Sequence, residues 1–154
     1  MDAFEKRLNT LLVSTFHHIL RVEEGMLRTT KSPLSMSEIH LLDVVGEGSG
    51  HGRTISAIAE ELHIAMPSVT VAVNKLARGG YLQKEKSPED RRSVRITITK
   101  EGERIYRMHQ YYHRKMVQAV SSGLTEEEKK VMLTGVQKLG AFFQEKAVEV
   151  DLKK

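Results

Sequence analysis

Cysteine is absent from all 154 residues. That absence excludes disulfides, thiolate metal ligands, nucleophilic cysteines and thiol-based peroxide sensing, and it points to a reducing compartment, expected to be the cytoplasm. No window approaches roughly 18 uninterrupted apolar residues, and the first residues show no basic segment leading into an apolar stretch and a small-residue cleavage site. A secreted or membrane-spanning chain is therefore not expected. Internal repeats are lacking, and the nearest thing to low complexity is a short glycine-rich turn. No glycine-rich phosphate loop follows a strand, and no serine occupies a nucleophile elbow. His109-Gln110-Tyr111-Tyr112-His113 has the histidine spacing of zinc hydrolases, yet Gln stands where the general-base Glu should be. No catalytic centre is expected.

What is present fits one domain over residues 1–154, since 40% hydrophobic content can build a packed core. Net charge is +4, and its location says more than its size. Residues 75–107 hold ten Lys/Arg against five Asp/Glu, while the rest of the chain is nearly neutral. A polyanionic partner is expected at that stretch.

Apolar residues recur at helical spacing over residues 4–29, from Phe4 and Leu8 to Ile19, Leu20 and Met26. Ser35 and Glu38 have capping-box spacing before Ile39, Leu42 and Val45, so a second helix should run to about Glu47. Gly46, Gly48, Gly50 and Gly52 predict a flexible turn. Thr54 can cap a short helix carrying Ile55, Ile58, Ala59 and Leu62, and a second seam follows at Val69, Val73 and Leu76. Gly79-Gly80 stops that helix, and a hairpin runs from Tyr81-Leu82 through Ser87-Pro88-Glu89-Asp90 to Val94, Ile96 and Ile98. Thr99 can cap a helix over residues 100–121, and Thr125 with Glu128 opens another to about Glu149. The expected fold is mainly α with a small β-hairpin wing: a winged helix-turn-helix over residues 34–99, flanked by helical dimerisation regions at 1–30 and 100–154.

At 100° per residue, burying Val69, Val73 and Leu76 leaves Pro67, Ser68, Thr70, Val71, Asn74, Lys75 and Arg78 outward. Asn can pair bidentately with adenine, Thr and Val can touch a thymine methyl, and cations suit phosphates. Alone this is an ordinary amphipathic surface helix. Preceded by a second short helix and followed by a hairpin bearing Asp90, Arg91, Arg92 and Arg95, it reads as a binder of double-stranded DNA, with the arginines directed to phosphates or a minor groove. A winged-helix module that binds protein is the remote alternative, which Lys75, Arg78 and the basic wing argue against.

The runs Ile58-Ala59-Glu60-Glu61-Leu62, Val69-Thr70, Gly80-Tyr81-Leu82, Asp90-Arg91-Arg92 and Leu124-Thr125-Glu126-Glu127-Glu128 resemble the MarR family of transcription regulators across nearly the whole chain. The resemblance implies a helix at 67–78 in the major groove, Arg92 of the Asp-x-Arg wing against the backbone or minor groove, and a homodimer on a pseudo-palindromic operator. The family usually carries Ser or Thr where this chain has Ala65, so the recognition helix should lack its cap unless Ser68 compensates. Val22-Glu23-Glu24, Glu38-Ile39-His40, Asp43-Val44-Val45-Gly46, Met108-His109 and His113-Arg114-Lys115-Met116-Val117 are similar to the fatty-acid-synthesis repressor (FabT-like) branch, which implies repression and an acyl or acyl-carrier-protein signal.

Helices 4–29, 100–121 and 125–149 carry more apolar stripe than the middle lobe can cover, so a second copy should bury it, with Phe142 and Phe143 as anchors. Two controlling ligands are open. Glu24, His40, His109 and His113 can face one point and suit zinc, and they resemble the ligand set of a zinc-sensing branch of the family. Equally they can be hydrogen-bonded polar groups at a helix junction. Alternatively Phe16, Met26, Leu27, Met36 and Met108 line a cleft for an acyl ligand, or are plain core.

Overall fold

The computed structural model describes residues 1–29, 33–48, 50–86 and 93–151. The order is α1 (Ala3–Thr29), α2 (Met36–Gly46), α3 (Ile55–Leu62), α4 (Met66–Arg78), β1 (Leu82–Lys86), β2 (Val94–Ile98), α5 (Lys100–Ser121) and α6 (Glu126–Asp151). Met1–Gln110 form one compact unit and Tyr111–Lys154 a second, with α5 contributing to both. No helix among the described residues is long and apolar enough to cross a membrane.

In the first unit the helices start where side chains satisfy their free amides. Ser35 and Glu38 close the expected capping box on α2, and the Thr54 hydroxyl accepts from the Ala57 amide at 3.2 Å. The α3–α4 turn is tight because His63 takes the left-handed conformation, φ 52°, a region that costs a non-glycine residue energy unless packing holds it. From α2, α3, α4, β2 and α5 come Ile39, Leu42, Ile58, Val69, Val73, Leu76, Ile96 and Ile105, all at most 2% exposed, which form the core.

The strands pair antiparallel from Leu82↔Ile98 to Lys86↔Val94. The expected inward alternation holds at Ile96 and, in part, at Ile98, but Val94 is exposed because it lies at the end of the ladder farthest from the Leu82 end. The glycine-rich segment differs from the flexible turn predicted for it. Arg53 donates its amide to the Ile96 carbonyl at 2.9 Å and accepts from the Ile96 amide at 2.7 Å, adding a one-residue bridge to β2. Gly52 permits this approach: its φ is +69°, and a Cβ there would lie 2.8 Å from the Ile96 carbonyl oxygen. Gly102, in the first turn of α5, is a second close approach, where a Cβ would fall 2.1 Å from the Tyr81 carbonyl oxygen.

The second unit holds the end of α5 and all of α6. Thr125 and Glu128 close the capping box foreseen for α6, and Phe142 and Phe143 meet edge to face at 5.3 Å. Val131, Leu133, Val136, Phe142 and Phe143 are more than half exposed.

Candidate nucleic-acid interface

Helix α4 presents the face expected of it. Val69, Val73 and Leu76 are buried, while Pro67, Ser68, Thr70, Lys75 and Arg78 are exposed, Asn74 is half-buried, and Val71 stands 68% exposed. Ala65 occupies the N-cap with an extended backbone and no side-chain hydrogen bond. Ser68 supplies only its backbone amide, to the Ala65 carbonyl at 3.0 Å. Of the two alternatives open for this start, a missing cap or compensation by the Ser68 hydroxyl, the structure shows the first. Pro67 lies in the first turn, where a missing N–H costs nothing.

Neighbouring elements engage two of the outward residues. The Lys75 ammonium pairs at 2.5 Å with Glu38, whose carboxylate is buried and also closes the α2 capping box. Burial pushes the Glu38 carboxyl up, but hydrogen bonds from Lys75 and the Ser35 amide outweigh it and hold the group below its ordinary value. From β1, the Lys84 ammonium donates to Asn74 Oδ1. Lys84 and Glu38 were not singled out in the sequence as parts of this face. Their partners lie far along the chain, beyond the reach of local spacing.

Of the wing residues, Asp90, Arg91 and Arg92 lie outside the described residues. Arg95 is the second residue of β2, opposite Glu85, and its guanidinium reaches the Gly52 carbonyl at 3.5 Å. Arg53 forms an ion pair with Glu61 on α3.

A second cluster joins α1, α2 and α5. Ligand atoms of Glu23, His40 and His109 lie within 4.8 Å of one another. The carboxylate is Glu23, which is buried, and not the expected Glu24, which is exposed, since the two point about 100° apart around α1. Glu23 continues the inward stripe of Ile19 and Leu27, a signal the sequence carried. His109 is 1% exposed and its Nδ1 lies 2.7 Å from Asp43 Oδ2. Asp43 Oδ1 is buried without a hydrogen-bond partner among the described residues. His113 falls in the second unit, where its ring meets Tyr112 edge to face at 5.5 Å.

The five residues considered for an acyl cleft are spread differently. Leu27 and Met36 pack against the core, Met26 and Met108 are half-buried, and Phe16 is 60% exposed beside the His17 ring.

A sequence profile described as the MarR family matches residues 32–93. FabT of Streptococcus pneumoniae, solved in complex with DNA, is 35% identical, with a TM-score of 0.81 over 92% of this chain and 98% of that one. The chain belongs to the MarR family. The similarity to FabT also supports the branch that the sequence resembles. MepR of S. aureus, likewise solved with DNA, is 20% identical with a TM-score of 0.71, covering 86% of this MarR chain and 94% of its own, and so agrees in fold alone. Among curated relatives, the uncharacterized HTH-type transcriptional regulator YhjH of Bacillus subtilis (strain 168) is 32% identical over 112 residues. That match spans 71% of this chain and about three fifths, 61%, of the relative's length. PchR of the same organism, an HTH-type transcriptional regulator, is 25% identical, covering 88% of this chain and 78% of its own. Relatives of this MarR chain are regulators, not enzymes, in keeping with the Gln at the general-base position of the 109–113 stretch.

Proposed function

We propose that this chain is a cytoplasmic transcription regulator that binds double-stranded DNA, with the outward face of α4 in the major groove and the β1–β2 hairpin against the backbone or minor groove beside it. The observation that carries this is α4 itself. Its buried seam of Val69, Val73 and Leu76 supports an outward row of Pro67, Ser68, Thr70, Val71, Asn74, Lys75 and Arg78, whose last two members open the basic stretch of residues 75–107. The DNA-bound state of the FabT structure supports the same reading. Asp90, Arg91 and Arg92 join the interface on the strength of the sequence resemblance, and Arg95 through its place on β2. Electrophoretic mobility shifts across a salt series test it. Arg92→Ala should weaken binding to all sequences and flatten the salt dependence by about one counterion, while Asn74→Ala should chiefly blur base preference. Unchanged binding at low salt in both variants would refute the assignment.

The active species is a homodimer that places two α4 helices on half-sites about 34 Å apart in a pseudo-palindromic operator. Supporting this, α1 exposes Phe4, Leu11 and Phe16, and α6 exposes Val131, Leu133 and Phe143, all more than half open to solvent. At the finer level, the likeness to FabT supports a repressor of fatty-acid synthesis genes that answers to an acyl group or acyl-carrier protein. Native mass spectrometry of the purified dimer, followed by operator binding with and without a long-chain acyl-carrier protein, checks this. An operator affinity indifferent to the acyl chain would exclude it.

One cluster favours a second reading, a zinc-responsive regulator of the same fold. Glu23, His40 and His109 supply one carboxylate and two imidazoles, and Asp43 orients His109 through Nδ1 so that Nε2 is the nitrogen a metal would take. Zinc would supply a charge that holds α1, α2 and α5 at one spacing. On this reading zinc raises the melting temperature of the wild type and not of His40→Ala, whose imidazole is exposed and replaceable without opening the core. Equal shifts in both would discard it.

A further inference from the structure

Asn74 is the one outward residue of α4 whose side chain has two ends of the same shape and opposite chemistry. Its Oδ1 only accepts hydrogen bonds and its Nδ2 only donates. Recognition of a base edge by such a group depends on which end meets which base atom, and a carboxamide free to flip offers both arrangements. Here one end has a partner. Lys84, an ammonium with donors only, bonds Oδ1.

The position of Lys84 is fixed by the hairpin. It is the third residue of β1, paired across the ladder with the fully buried Ile96. Because strand side chains alternate, it shares a sheet face with Leu82, which is 2% exposed and packs into the core. Lys84 itself is exposed, just beyond the covered end of that face, and it borders a hollow lined by Asn74, Ala77, Arg78 and Lys84. Arg78, one helical turn beyond Asn74, adds a second cation there, and none of the four lining residues is acidic. Within the hollow the Asn74 oxygen is the side-chain acceptor for Lys84.

We propose that Lys84 is a positioning residue for sequence readout: it holds the Asn74 carboxamide with its oxygen toward the wing, and so fixes which end of the amide meets the base. The wing root thereby sets the specificity of the recognition helix, in addition to any phosphate contact made by the wing. This rests on the assignment of α4 to the major groove.

The test is selection of binding sites from a randomised duplex by the intact protein, followed by competition binding with each base pair of the selected site replaced in turn. Asn74→Ala should lower discrimination at its base pair by about tenfold. Lys84→Met should lower it at that same base pair by at least about threefold, with other positions unchanged, and should add nothing in an Asn74→Ala background. Lys84→Gln, which keeps a donor without the charge, should restore most of the preference. The proposal is overturned if Lys84→Met weakens every sequence equally and reduces the salt slope by about one, the signature of a phosphate contact alone. It is equally overturned if the effects of Lys84→Met and Asn74→Ala multiply independently. If the wild type selects a site and Asn74→Ala changes no position, the α4 assignment itself has failed, and the role of Lys84 falls with it.

Discussion

Glu38 serves two elements with one carboxylate, accepting from the Ser35 amide at 2.8 Å and from the Lys75 ammonium at 2.5 Å. The two roles separate by mutation. Glu38→Gln keeps an acceptor for the cap and removes the charge, and it should cost about 1 kcal/mol, because the half of the pair that Lys75 contributes is well exposed. Glu38→Ala removes both and should cost about 1 kcal/mol more. Urea denaturation of the three proteins checks this, and a Gln variant as stable as wild type would show that the ion pair contributes nothing. At this scale the sequence was legible at most places where the signal is local. The outward residues of α4 follow from three buried positions and a 100° step. Legibility failed where partners are distant, as for Lys84 on Asn74 or Asp43 on His109. It also failed between Glu23 and Glu24, where the inward stripe through Ile19 and Leu27 selects the first.

Among the elements, α4 combines a demanding role with an incomplete start. Ala65 already has the extended backbone of an N-cap, φ −65° and ψ 139°, and Pro67 leaves the Ser68 amide as the donor a cap would satisfy. Ala65→Ser should therefore stabilise the protein by about 0.5–2 kcal/mol, read as a raised melting temperature with the far-ultraviolet spectrum unchanged. A null or negative shift would show that α4 is held by its seam alone. Helix α5 makes the opposite point. Gly102→Ala should destabilise by about 1–3 kcal/mol, since a methyl group placed 2.1 Å from the Tyr81 carbonyl oxygen cannot be accommodated without moving the start of β1. Stability equal to wild type in a thermal melt would rule out that close approach. The helices were foreseen because caps and apolar spacing are short-range. The bridge at Arg53 was not, because glycine spacing announces conformational freedom and says nothing of a strand that fills it.

For the molecule as a whole, the exposed apolar residues of α1 and α6 are the largest feature that the isolated chain leaves unexplained. A double Phe142→Glu, Phe143→Glu variant should sediment as a monomer and lose operator affinity by at least about 100-fold, because two half-sites would no longer be engaged together. Retention of the dimer would place the interface elsewhere. The concentration of basic charge in residues 75–107 raised the expectation of a polyanionic partner before any fold was known.

The reciprocal pair of hydrogen bonds between Arg53 and Ile96 has a mechanical meaning. The hairpin and the entrance to α3 are therefore expected to move as one plate, since parting them would break both peptide hydrogen bonds. A signal that displaces α3 therefore drags the base of the wing along with it, and slow deuterium uptake at both amides would mark the plate as a single lever.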